Sequence, residues 1–116
     1  MKISFLIFIV IIASCQSRQR PFSIEDWNYK EDIIYAKRKF LVDDLISNRI
    51  YKGLSYNSVI NLLGEPENYT GTENTIEYEI EEIYGSDIDP IKGSYLAITF
   101  NPDSTVIAVE QVKWER

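Results

Sequence analysis

The sequence predicts an α+β fold, two antiparallel helices packed on one face of a three-stranded antiparallel sheet in the order ααβββ, after a cleaved signal peptide. Three observations carry this expectation. Apolar residues recur at helical spacing as far as Leu63 and then alternate from Thr75 onward, so the period changes once along the chain. Gly53 to Pro66 has the parts of a short helix with both ends marked. Met1 to Cys15 is an apolar leader with a basic start. With 116 residues the chain can build one small domain, placed at residues 23–116, and its 15 aromatic side chains can supply a core.

The leader comes first. Lys2 precedes an apolar run from Ile3 to Ile12, followed by Ala13, Ser14 and Cys15. As a helix, Ile3–Ser14 would span only about 18 Å of a hydrocarbon core about 30 Å thick, too short to cross. The layout is that of a secretory signal. Ile12-Ala13-Ser14-Cys15 resembles the lipobox of bacterial lipoproteins, which implies cleavage between Ser14 and Cys15 and lipid attachment at Cys15. Cys15 is the chain's one cysteine, so no internal disulfide can form. The expected boundaries are therefore a signal peptide at 1–14 and a lipidated tether at 15–22, with the membrane as a partner through the lipid on Cys15. Loss of residues 1–14 removes Lys2 and leaves 11 basic against 18 acidic residues, a net charge of −7. Gln16 follows the cysteine where resemblance to known lipoproteins associates aspartate with inner-membrane retention. The expected location is the cell envelope, lipid-anchored at the outer membrane and facing the periplasm. Arg18 and Arg20 lie in a polar tether and read either as a solvated linker or as neighbours of anionic headgroups.

Ser23 is positioned to cap a helix, with Asp26 three residues on, and Trp27 and Tyr29 are anchors of the entry segment. The main helix is expected over Glu31–Ser47. Ile34, Leu41 and Leu45 define its face, with Ile33, Phe40 and Val42 at the shoulders. Lys37, Arg38 and Lys39 read as a solvated side of that helix, with pairs such as Lys39–Asp43. Asn48 ends it. The second helix starts at the Ser55 cap, buries Val59, Leu62 and Leu63, and stops where Gly64 takes positive φ and Pro66 blocks continuation.

Glu67–Asn74 reads as a polar loop. In the first strand, from Thr75, Ile76, Tyr78 and Ile80 point inward while Glu77, Glu79 and Glu81 point outward. Gly85–Gly93 is a loop in which Asp87 and Asp89 resemble a fragment of a calcium loop, but the other ligands are not at its spacing, so no metal site is expected. Tyr95–Phe100 buries Leu96, Ile98 and Phe100. Asn101-Pro102-Asp103-Ser104 has type I turn chemistry, and Thr105–Trp114 is the last strand. Val106 and Val109 both face inward although three apart, which requires a bulge near Ile107–Ala108.

The chemistry of an enzyme is missing from this composition. There is no histidine and no second cysteine, so neither a Ser/His/Asp set nor a thiolate zinc site can be assembled. The acidic balance disfavours nucleic acid. No catalytic residues and no cofactor are expected. The leader, the two helices, the string Gly53-Leu54-Ser55 through Val59 to Leu62-Leu63-Gly64-Glu65-Pro66 and the following strands resemble the small SmpA/OmlA (BamE-type) lipoproteins. They also resemble the wider group with the β-lactamase-inhibitor-protein-like fold, and more closely the uncharacterised lipoproteins of Bacteroidetes-like bacteria. The BamE-type proteins are accessory, non-enzymatic subunits of outer-membrane assembly machinery. The resemblance implies an envelope protein partner and a role as an assembly or stability factor. The alternative is an inhibitor or immunity-type protein that blocks a hydrolase through an acidic face bearing Tyr69, Tyr78, Tyr84 and Tyr95. A small-ligand site between helix and sheet is a third reading.

Overall fold

Ser23 opens the first of the described helices by the chemistry its sequence prescribes. In a computed structural model, which describes residues 18–71, 73–86 and 88–116, the Ser23 hydroxyl accepts the Asp26 N–H at 3.4 Å and starts helix α1, Ile24–Asn28. The expected signal peptide, its cleavage point and Cys15 lie outside the described residues.

The chain then departs from the expected long helix. Lys30–Glu31 (β1) and Ile34–Tyr35 (β2) pair as a small antiparallel ribbon, turned at Asp32 with φ 62°. Aspartate tolerates that left-handed conformation, and the run Ile33-Ile34-Tyr35 is β-branched and aromatic, which favours a strand. Helical backbone resumes only at Arg38, as one composite segment. It comprises a 3-10 turn Arg38–Phe40, an α turn Val42–Asp44 and a π turn Leu45–Arg49, closed by the Ile50 N–H on Leu45 O at 2.9 Å. Of the expected face Ile34, Leu41 and Leu45, the two leucines are buried in this shorter segment, while Ile34 lies in β2. Of the shoulders, Val42 is buried, Phe40 half-buried and Ile33 exposed.

Helix α2, Tyr56–Leu63, forms as its punctuation requires. The Ser55 hydroxyl accepts the Ser58 N–H at 3.1 Å, Val59 and Leu63 are buried, and Gly64 leaves the helix at φ 84°. The chain next forms β3 (Asn68–Thr70), β4 (Thr75–Tyr84), β5 (Pro90–Phe100) and β6 (Val106–Glu115), paired antiparallel in the order β3-β4-β5-β6. The expectation of two helices on three strands is therefore overturned. Among the described residues there are six strands in two sheets and two short helices, and the class remains α+β. A three-residue strand such as β3 is too short to show a period, so Glu67–Asn74 looked like a loop.

The core lies between the helical layer and one sheet face. Trp27, Leu41, Leu45, Val59 and Leu63 meet Ile76, Tyr78, Ile80, Leu96, Ile98, Phe100 and Val106 in one cluster. Three register shifts shape the sheet, one of them at Ile91, since Ile83 pairs with Lys92 but Tyr84 with Pro90. Thr99 pairs with Ala108 but Phe100 with Val106, leaving Ile107 as the extra residue where the Val106/Val109 spacing required one. On β4, Glu79 pairs with Tyr95 but Glu81 with Ser94, so Ile80 is the extra residue there.

Candidate functional site: the outward sheet face

The β4 bulge decides which glutamates face outward. A one-residue slip reverses every later side chain on the strand. Glu77 and Glu79 point away from the core as expected, but Glu81 turns to the inner side opposite Ser94, and Glu82 takes the outward position opposite Gly93. The sequence mark was present, since the doublet Glu81-Glu82 breaks the alternation that Ile76, Tyr78 and Ile80 set up.

Arg38 fixes this junction. It is buried, with its guanidinium between the rings of Trp27 and Tyr35 at 4.1 and 3.4 Å. Its Nε donates to Trp27 O at 2.9 Å, and Nη1 donates to Glu67 Oε1 at 2.9 Å and to Glu79 O at 2.7 Å. Glu67 Oε1 also accepts the Glu79 N–H at 2.7 Å. Strand β3 begins at Asn68, so these two side chains take over the pairing of Glu79 where β3 no longer reaches. Lys37-Arg38-Lys39 is therefore not a uniformly solvated face. Arg38 is structural, and a short basic run gave no sign of which member would be enclosed.

On the outward face, register places Asn68, Glu77, Ala97 and Glu110 in one row, Glu79, Tyr95 and Val112 in the next, and Glu82, Gly93 and Trp114 in the third. Asn68 Nδ2 donates to Glu77 Oε1 at 2.8 Å. A Cβ on Gly93 would sit 3.0 Å from the Trp114 ring and 2.4 Å from the Glu81 carbonyl, so the indole lies over bare backbone that only glycine provides. Tyr95 and Trp114 are half-buried. Burial, followed by the charges of Glu82 and Glu67, raises the Glu79 carboxyl above its ordinary value, while Arg38 and Lys30 oppose the shift. Among the described residues, no lysine or arginine occupies an outward position in these three rows. The strand residues of the core cluster all face the other way.

The four expected tyrosines do not form one surface. Tyr78 is buried and donates to Gly64 O at 2.7 Å. Tyr69 pairs with Ile76 on the inner side and donates to Glu65 Oε1 at 2.7 Å. Tyr95 lies on the outward face, where Tyr84 reaches Glu82 at 3.2 Å. Trp114, opposite Gly93, is the further aromatic of the outward face.

Two hollows lie elsewhere. A groove of about 1030 Å³ separates the composite segment from the inner side of the sheet beyond the β4 bulge, and Lys39 meets Glu81 across it at 3.4 Å. A cleft of about 240 Å³ is bounded by Tyr56, Tyr69, Phe100 and the Asn101-Pro102 turn. Among the described residues no group of three histidine, cysteine or acidic side chains is placed to hold a metal ion. No protein-family model, curated protein or solved structure matches the chain.

Proposed function

We propose that the chain is a lipid-anchored, non-enzymatic protein-binding module of the cell envelope. It holds a basic surface of an envelope protein against its outward sheet face and so assists that partner's assembly or stability. The observation that carries this reading is the grouping of Glu77, Glu79, Glu82 and Glu110 around Tyr95 and Trp114 on a sheet face that the core does not use. Rigid aromatics supply contact area at low entropic cost, and a single sign of charge selects and steers a cationic partner. The signal and the lipobox-like Cys15 supply the location.

Photocrosslinking in native membranes from Tyr95, replaced by a photoreactive residue, tests the proposal. A specific partner should be captured, and Glu79→Lys with Glu82→Lys should abolish capture while Asp103→Lys in the β5–β6 turn leaves it intact. Capture should weaken as salt rises, since exposed charges are screened. Capture that survives reversal of the outward glutamates sinks the reading. A captured soluble hydrolase whose activity the domain blocks would move the chain to the inhibitor class.

A further inference from the structure

The expected tether is not free along its length. Gln19 Nε2 donates to Lys39 O at 2.9 Å and its Oε1 accepts the Asp43 N–H at 3.1 Å. The Arg20 N–H donates to Phe40 O at 2.8 Å, with the Arg20 guanidinium 4.8 Å from the Phe40 ring. The Phe22 N–H donates to Asp44 Oδ2 at 2.7 Å. Chain available to stand off from a membrane is therefore only Cys15 to Gln19, a reach of at most about 14 Å. Gln19 lines the same groove as Ile83, Lys92 and Lys113. A lipid on Cys15 would thus hold one particular end of the sheet at the bilayer.

That end has the surface chemistry for such contact. Beyond the β4 bulge the sheet overhangs the core, and the β4–β5 hairpin exposes Ile83, Ile88 and Ile91 to 37, 90 and 42 %. The other large exposed apolar residues, such as Ile24, Ile33, Tyr51 and Ile107, are dispersed over separate elements. Lys92 and Lys113 stand just behind the hairpin, and the Arg116 N–H is bonded to Ile91 O at 2.9 Å. Apolar side chains backed by cations suit the boundary between headgroups and acyl chains.

We propose that the β4–β5 hairpin end is a bilayer-contacting surface, with the isoleucines entering the headgroup region and the lysines meeting lipid phosphates. Glu77, Glu79 and Glu110, on the core side of the bulge, are then free to meet a partner away from the membrane, with Glu82 at the boundary beside Ile83. This inference rests on the lipid-anchor part of the function proposed above.

The test uses the acylated full chain in vesicles of phosphatidylethanolamine and phosphatidylglycerol. Ile88→Cys is labelled with an environment-sensitive dye, and Asp103→Cys, at the opposite end of β5, is the control. Both positions are exposed, so neither variant disturbs the core. The label at position 88 should shift to the blue and be quenched several-fold more strongly by doxyl lipids than the label at 103. Equal quenching at the two sites, or stronger quenching at 103, with acyl mass present on Cys15 overturns the orientation and leaves the anchor standing. Absence of acyl mass on Cys15 overturns the anchor and this inference together.

Discussion

At Arg38 a charge is enclosed by two aromatic rings and three oxygen acceptors, and the side chain joins α1, the β1–β2 ribbon and β4. Arg38→Ala leaves two main-chain carbonyls and the Glu67 carboxylate without their donor. Truncating one side of a buried pair costs about 3–5 kcal/mol, and a value near the lower end is expected because Glu67 is itself partly solvated. Urea unfolding should show it, and a loss under about 1 kcal/mol would remove Arg38 from its structural role. Lysine should not rescue, as it lacks the planar fork and the stacking surface. Gly64 is the second key residue. Its φ of 84° and ψ of −171° lie in a region nearly restricted to glycine, although a Cβ there would meet open space. Gly64→Ala should cost about 1–3 kcal/mol through backbone strain alone, read from the same denaturation curves. The sequence announced Gly64 through its place between an apolar stripe and a proline. Nothing local distinguished Arg38 from Lys37 and Lys39, since enclosure depends on rings contributed by Trp27 and Tyr35.

At the scale of elements, the bulges at Ile80 and Ile107 sort side chains between faces. The one in β6 was legible because Val106 and Val109 both had to be buried. The one in β4 escaped because glutamate on the wrong side of a strand end meets solvent and is tolerated. Its consequence is electrostatic. Glu79 sits beside Glu82 and Glu67 in a partly buried position, so its carboxyl is raised in the folded state. A raised value favours folding below the ordinary glutamate range, and that contribution is lost as pH rises through the folded value. Glu79→Gln should therefore raise the melting temperature at neutral pH, and the gain should vanish once acidification protonates the native carboxylate. On the function proposed above the same substitution should also weaken partner capture, because it removes one of the charges of the outward face. A lower melting temperature for Glu79→Gln at neutral pH would contradict this account.

At the scale of the molecule, the N-terminal strap is part of the domain. Asp44 latches it. Hydrogen bonds from Asn48 and from the Phe22 N–H, with Arg49 alongside, lower the Asp44 carboxyl against an opposing effect of burial. A lowered value contributes stability above the ordinary aspartate range that is lost as pH falls through the folded value. Acidification should thus release the strap, seen as lower protection of the Phe22 and Arg20 amides relative to their intrinsic exchange rates, and Asp44→Asn should make that protection low and nearly independent of acid pH. Protection retained at Arg20 in Asp44→Asn would show that the Gln19 and Arg20 contacts hold the strap without Asp44.

The sequence by itself determined the α+β class, the Ser23 and Ser55 caps, helix α2, the alternating faces of β4 as far as Ile80 and of β5 over Tyr95–Phe100, and the β6 bulge, because each rests on interactions within about ten residues. The β1–β2 ribbon and the three-residue β3 are local pairings too short to show a period, and the Glu81-Glu82 doublet marks the β4 bulge without saying which glutamate turns outward. The tertiary structure decided these together with the burial of Arg38 and the docking of Gln19. The burial of Arg38 and the docking of Gln19 depend on partners 11 to 41 residues away, Trp27, Glu67 and Glu79 for Arg38 and Lys39 and Asp43 for Gln19, and no local period records them.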